Sequence, residues 1–260
     1  MLLQYSSQLS VPTELTDQII DFACSESLDD ASSLGLVCHQ CRNRAQGHLL
    51  KHIRLLPDHL KQSVFCFFLG AYHLRKHVRT ISLYGPKLAW PEDTDQAISL
   101  LGGQSVEFVA DGVYVRDLLS LVTEWSTFTG CRIVGSVYSA EELYAWLGRF
   151  IALKKLSMPK EGPNTLITPI GPQSQPPQLH FTLQAFNYHS EGGPTCLSDD
   201  RHFSNTILPT ISRLQALELA VDEKNWTGVM TIFQQCKEAV ADLDLKFHCC
   251  TSLFGHVRLY

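Results

Sequence analysis

No apolar run in this 260-residue chain is longer than VFCFFLGAY, residues 64–72, far short of the about 20 residues that cross a bilayer as a helix. The first ten residues have neither a basic start nor an apolar stretch, so no secretory leader is expected. Charge is sparse: 18% of residues are Asp, Glu, Lys or Arg against 45% hydrophobic, a composition that supports a sizeable core and argues against disorder. No G-x-S-x-G, phosphate-loop or G-x-G-x-x-G pattern occurs, which removes the commonest hydrolase and nucleotide-binding signatures. The nine cysteines are an odd number in a chain with no export signal, so they read as reduced thiols of a cytoplasmic or nuclear protein.

Charge of one sign is also missing locally. Residues 1–38 hold six Asp/Glu and no Lys or Arg, whereas residues 39–80 hold eight Lys/Arg against the single Asp58. Because the basic residues are interleaved with an apolar stripe (Leu60, Val64, Phe67, Phe68, Ala71, Leu74) and form no run longer than the pair Arg75-Lys76, they read as a solvated helix face. Nucleic acid is not the expected partner.

What is present begins at residue 11. In VPTELTDQIIDF, Pro12 suits the start of a helix, where its missing N–H costs nothing. Glu14 and Asp17 then lie near the positive end of the helix dipole. Leu15, Ile19 and Phe22 repeat at i, i+4, i+7, and Leu34, Val37, Cys38, Cys41 and Ala45 form a second helical stripe after the starters Ser27, Asp29 and Asp30. Two or three short helices bury too little surface to be comfortable alone, so a packing partner is expected.

The run Pro12, Glu14, Leu15, Ile19, Ile20, Leu34, Leu36, Val37, Cys38, Arg42, Ile53 and Leu55 resembles an F-box in its LP-x-E-L…I-I…L-x-L-V-C…R…I-x-L form. Val11 stands where the family usually has leucine, and Cys41 where it has a bulky aromatic. The resemblance implies that Pro12, Leu15, Ile19, Ile20, Leu34, Leu36, Val37 and Cys38 bind a Skp-family adaptor, and through it a cullin and a RING subunit. The expected organisation is a tail over 1–8, an F-box over 9–56 and a second region over 57–260.

From Val78 the rhythm changes. Strand-like pieces at 78–85, 106–113, 129–137, 153–159, 180–187, 214–221 and 240–247 alternate with helical ones, and several share an apolar-x-x-apolar-x-apolar frame. Centres taken at Ile81, Phe108, Ile133, Leu156, Leu183, Leu217 and Leu243 recur every 23 to 34 residues, the period of units that each supply one strand and one helix and bury their apolar face by stacking. SAEELYAWLGRF offers a capping box, Ser139 with Glu142. The region resembles the irregular leucine-rich-repeat array that follows the F-box in many fungal proteins. The asparagine or cysteine that usually follows each strand is absent. An ordinary α/β sheet is the alternative. Two polar excursions interrupt the pattern, the proline-rich 158–178 and 189–200, and GHVRLY at the end reads as a further strand.

The expected fold is therefore α/β, an N-terminal helical F-box followed by an irregular leucine-rich-repeat-like array of parallel strands and helices. The implied function is that of a substrate receptor in a Skp-cullin-F-box ubiquitin ligase, holding a client protein for ubiquitin-dependent degradation. Client contacts are expected on the outward face of the strands, at Tyr84, Lys155, Glu218, Asp242 and Asp244, with Thr80, Ser82, Ser157 and Ala216 alternating on the same face. No catalytic residue, cofactor or metal is expected. The spacing C-x2-C-x6-H-x3-H at Cys38, Cys41, His48 and His52 hints at zinc, but both thiols lie on the apolar stripe and read as buried. Two alternatives stay open: a repeat scaffold that engages no ligase, and an enzyme whose site carries no recognised motif.

Overall fold

The computed structural model describes residues 12–37, 39–55, 64–87, 90–102, 106–122, 125–136, 139–158, 179–189, 207–221, 226–247 and 255–259. The proline-rich excursion, apart from Met158, and residues 190–200 lie outside them, as does Cys38. The chain divides into two compact units. The first takes Met1–His52 together with His73–Val78, and the second takes Ile53–Tyr72 and Arg79–Tyr260. The division falls a few residues before the 56/57 boundary expected from sequence, because Ile53–Leu55 belongs to the sheet rather than to the helices.

The first unit is three consecutive helices, α1 (Thr13–Glu26), α2 (Leu28–Val37) and α3 (His39–Leu49). Pro12 precedes α1, and its carbonyl accepts from the N–H groups of Leu15 and Thr16. Ser27 starts α2, its hydroxyl accepting from the N–H groups of Asp29 and Asp30, the service expected of a serine that precedes a helix. The helices close on a core of Ile20, Cys24, Ala31 and Ala45, with Leu34, Cys41 and Leu49 packed partly buried against it.

The second unit is a nine-stranded sheet in chain order: β1 (His52–Leu55), β2 (Thr80–Tyr84), β3 (Glu107–Asp111), β4 (Gly130–Val134), β5 (Lys155–Met158), β6 (Ala185–His189), β7 (Ala216–Val221), β8 (Asp242–Phe247) and β9 (Gly255–Leu259). Every pair from β2 to β8 is parallel, and β9 runs antiparallel to β8. Between them lie α4 (Val64–Gly70), α5 (Thr94–Leu101), α6 (Val115–Leu119), α7 (Ala140–Leu147) and α8 (Trp226–Cys236), with 3-10 turns at Trp125–Thr127 and Leu208–Ile211; the 3-10 turn Tyr72–His77 belongs from His73 on to the first unit. The expected parallel strands are present, each neighbouring the next. The capping box forms: Ser139 Oγ accepts from the Glu142 N–H at 3.1 Å, and the Glu142 carboxylate accepts from the Ser139 N–H at 3.0 Å.

Two expected centres move. In register, Ile81, Phe108, Cys131, Leu156, Phe186, Leu217 and Leu243 form one row, so Ile133 sits two residues along its strand and Leu183 precedes β6 altogether. Each row member is buried. Beneath it, Phe108, Trp125, Phe128, Trp146 and Phe150 pack mostly edge to face, with ring centroids 4.9 to 6.5 Å apart, the arrangement that aromatic quadrupoles favour.

Without an asparagine ladder, the units are joined by main-chain bonds. The carbonyls of Thr129, Lys154, Gln184 and Gln215 each accept from the two N–H groups that open the next strand: Lys154 and Lys155, Gln184 and Ala185, Gln215 and Ala216, Ala241 and Asp242. Such a ladder asks for no particular side chain, which is why the sequence shows none. At the other end, Gly85, Gly112 and Gly135 follow β2, β3 and β4 with φ of 69°, 65° and 55°, a conformation that glycine reaches without steric cost. The N–H of Gly85 donates to the Asp111 carbonyl and that of Gly112 to the Val134 carbonyl, carrying the ladder past the last strand residue. Ser136 Oγ adds a side-chain bond to the Ala110 carbonyl.

Candidate functional site

Two surfaces stand out, one on each unit. On the first, the stripe Leu15, Ile19 and Phe22 faces outward, 49%, 58% and 70% exposed, and Leu36 and Val37 at the end of α2 are exposed as well. Apolar side chains of this size in a helical row on the surface mark a place where a partner packs. Of the expected adaptor residues, Pro12, Leu15, Ile19, Leu36 and Val37 are exposed. Ile20 is a correction: it is buried in the three-helix core. Leu34 is only partly exposed, packed against that core, and Cys38 lies outside the described residues. Phe22 belongs to the stripe though it was not among the expected contacts; its i+7 spacing from Leu15 is the signal that finds it.

Away from that stripe, α1 and α3 are pinned by charge. Arg44 donates to Asp17 at 2.8 Å and to both oxygens of Asp21 at 2.7 and 2.6 Å, and His48 Nε2 lies 3.0 Å from Asp21 Oδ1. The hydrogen bond from Arg44, and then that from His48, hold the Asp21 carboxyl well below the usual carboxylate range. The carboxylate and guanidinium side chains are both about 40% exposed, so the clamp fixes geometry more than it adds stability. His48 is thus engaged with Asp21, and no group of three metal-capable side chains occurs among the described residues.

The second surface is a groove of about 370 Å³ across five parallel strands. Register builds it from two rows. One is Arg132, Ser157, Asn187, Glu218 and Asp244; the other is Gly130, Lys155, Ala185, Ala216 and Asp242. Since alternate residues of a strand share a face, each strand contributes its odd or even pair to the same side. Ala185 and Ala216 keep the middle low. Arg132 and Lys155 stand at one end, and Glu218, Asp242 and Asp244 at the other. The Asn187 amide donates to the Glu218 carboxylate.

Among the polar atoms that line this groove, Ser157 Oγ and Asn187 Oδ1 are buried without a hydrogen-bond partner. Ser157 is 1% exposed. Leaving such a group unsatisfied costs about 1–3 kcal/mol, a cost that a bound polar ligand would relieve.

Of the expected client residues, the groove gathers Lys155, Glu218, Asp242 and Asp244. Tyr84 is not among its lining residues; it ends β2, two strands before Arg132, at a different level of the register. By register Ser82 and Ser157 share the expected face with Arg132, but they are buried there, at 0% and 1% exposure. Arg132 and Asn187 are additions, both legible once the strands are aligned in register.

No helix among the described residues is long and apolar enough to cross a membrane. The chain matches no protein-family model and no curated protein.

Proposed function

We propose that this chain is the substrate-receptor subunit of a Skp-cullin-F-box type ubiquitin ligase, with no catalytic step of its own. The observation that carries the reading is the exposed stripe Leu15, Ile19 and Phe22 on a three-helix unit whose residues resemble an F-box. A helix face of this kind takes a hydrophobic partner, and the resemblance names a Skp-family adaptor. The second unit would then hold the client through its strand-face groove. Catalysis in such an assembly is proximity: the receptor raises the effective concentration of client lysines at the conjugating enzyme.

The test is capture of purified adaptor by the full chain, measured as a Kd. Micromolar or tighter capture that depends on Leu15 and Ile19 supports the reading. A folded chain that captures no adaptor leaves a repeat scaffold outside any ligase.

A further inference from the structure

We infer that the groove across β4 to β8 is a binding site for an extended peptide that carries an acidic and a basic side chain a few residues apart, the acidic one seated at Arg132 and Lys155 and the basic one at Glu218, Asp242 and Asp244. This deepens the receptor reading and rests on it only for the source of the peptide.

Three observations converge. The first is charge. Across one continuous face the lining changes from cationic to anionic over a floor of alanines. Glu107 reaches over Gly130 beside the basic end, so the two ends carry net charges of opposite sign with the larger on the acidic side. The second is the pair of orphaned polar atoms between the charged ends. Ser157 Oγ and Asn187 Oδ1 are both buried without partners. A main-chain amide lying across the strands supplies a donor for Asn187 Oδ1, and either a donor or an acceptor for the Ser157 hydroxyl.

The third is length. Neighbouring strands lie about 4.8 Å apart, which puts Lys155 about 10 Å from Glu218 and Arg132 about 19 Å from Asp244 along the sheet. A free amino acid holds its two charges far closer than that. An extended chain rises about 3.3 Å per residue, so charges three to six residues apart match both ends. Complementary charge also speeds encounter and fixes the direction in which the peptide lies.

The experiment uses fluorescein-labelled nonapeptides on a Gly/Ser/Ala background, each with one Glu and one Lys separated by one to six residues in both orders. Binding to the purified full chain is read by anisotropy. The expected result is tightest binding at separations of three to six, in one order, with at least a tenfold loss when either charge is replaced by Gln. Asp242→Lys with Asp244→Lys should abolish that binding. Adding Arg132→Glu and Lys155→Glu to that pair should restore it with the opposite order preferred. Ser157→Ala should weaken binding severalfold while the free chain melts no lower, because the hydroxyl it removes has no partner in the free protein. Equal binding at all separations, no effect of the single-ended reversal, or full-strength binding by Ser157→Ala overturns the inference. Adaptor capture measured on the same preparation keeps the two readings apart. Capture without peptide preference sinks the groove alone, and peptide preference without capture sinks the ligase reading alone.

Discussion

Replacing Leu15 and Ile19 together by alanine separates binding from folding. The two side chains are 49% and 58% exposed, so about half of each is already buried and half is free for a partner. Full burial of a leucine or isoleucine contributes about 1.5–3 kcal/mol, so covering the remaining half contributes about 0.75–1.5 kcal/mol per residue. For both residues that is about 1.5–3 kcal/mol, a weakening of adaptor binding by roughly tenfold to hundredfold. The contrast is Ile20→Ala. Ile20 is 2% exposed, packed with Cys24, Ala31 and Ala45, and large-to-small changes at such sites cost about 2–5 kcal/mol of stability. The assay is calorimetric titration of adaptor into each variant, paired with chemical denaturation. The double variant should keep most of its stability and lose affinity, whereas Ile20→Ala should lose stability first. A folded double variant that binds adaptor as tightly as the parent refutes the assignment of this stripe.

Two further outcomes follow from the geometry. Gly112 has a φ of 65° and open space where a side chain would go, so Gly112→Ala meets only the left-handed backbone cost, about 1–2 kcal/mol; urea denaturation should show that loss with peptide and adaptor binding retained, and an unchanged midpoint would contradict it. Arg44, followed by His48, depresses the Asp21 carboxyl, so the stability it contributes is present above the unfolded carboxylate range, about pH 4, and is lost as pH falls below it. Unfolding free energy measured at steps down an acid titration at low salt should start lower for Asp21→Asn and fall by less than for the parent, the two converging at low pH; identical profiles would remove the clamp from the account.

Much of the sheet was legible because each strand leaves the same local record. Leu153-Leu156-Met158 and Leu214-Leu217-Leu219 repeat one frame, and both fall in register two strands apart, with Phe186 and Tyr188 of β6 between them. The misplacement at β6 has a physical reason. Phe181 and Leu183 are buried although they precede the strand, so the apolar alternation starts before the pairing does, and Asn187 is lost from the reading. Ser82 and Ser157 differ in another way: alternation gives the right face for Ser157, which lines the groove, but it does not give exposure, which is 0% and 1% for the two. On α1 the sequence offers two apolar faces, Leu15-Ile19-Phe22 and Ile20-Cys24. Period alone cannot tell which one packs inward, because that depends on how closely α2 and α3 approach. The antiparallel direction of β9 is likewise set by tertiary pairing and leaves no mark on GHVRL.

The choice of face on α1 has an energetic consequence. The helices put small residues inside, Ala31, Ala45, Cys24 and Cys41 around Ile20, and leave Leu15, Ile19, Phe22, Leu36 and Val37 outside. Cys41, standing where an F-box usually carries a bulky aromatic, fits this small-residue core, and the tie from Arg44 to Asp17 and Asp21 holds α1 and α3 together without filling volume. A core of that size yields little hydrophobic stabilisation, and exposed ion pairs add little to it. The stability of this unit is then tied to whatever covers the outer stripe. A partner that binds only the folded form adds RT ln(1 + [L]/Kd), about 2.7 kcal/mol at a hundredfold excess over Kd. Hydrogen exchange of the α1 to α3 amides, with and without saturating adaptor, measures this directly. Protection should rise by about a hundredfold over the helices for the parent and by much less for the Leu15→Ala, Ile19→Ala double variant. Helices that are already as protected in the free chain as the strands of the second unit would show that the small-residue core suffices by itself and that the fold does not depend on a partner.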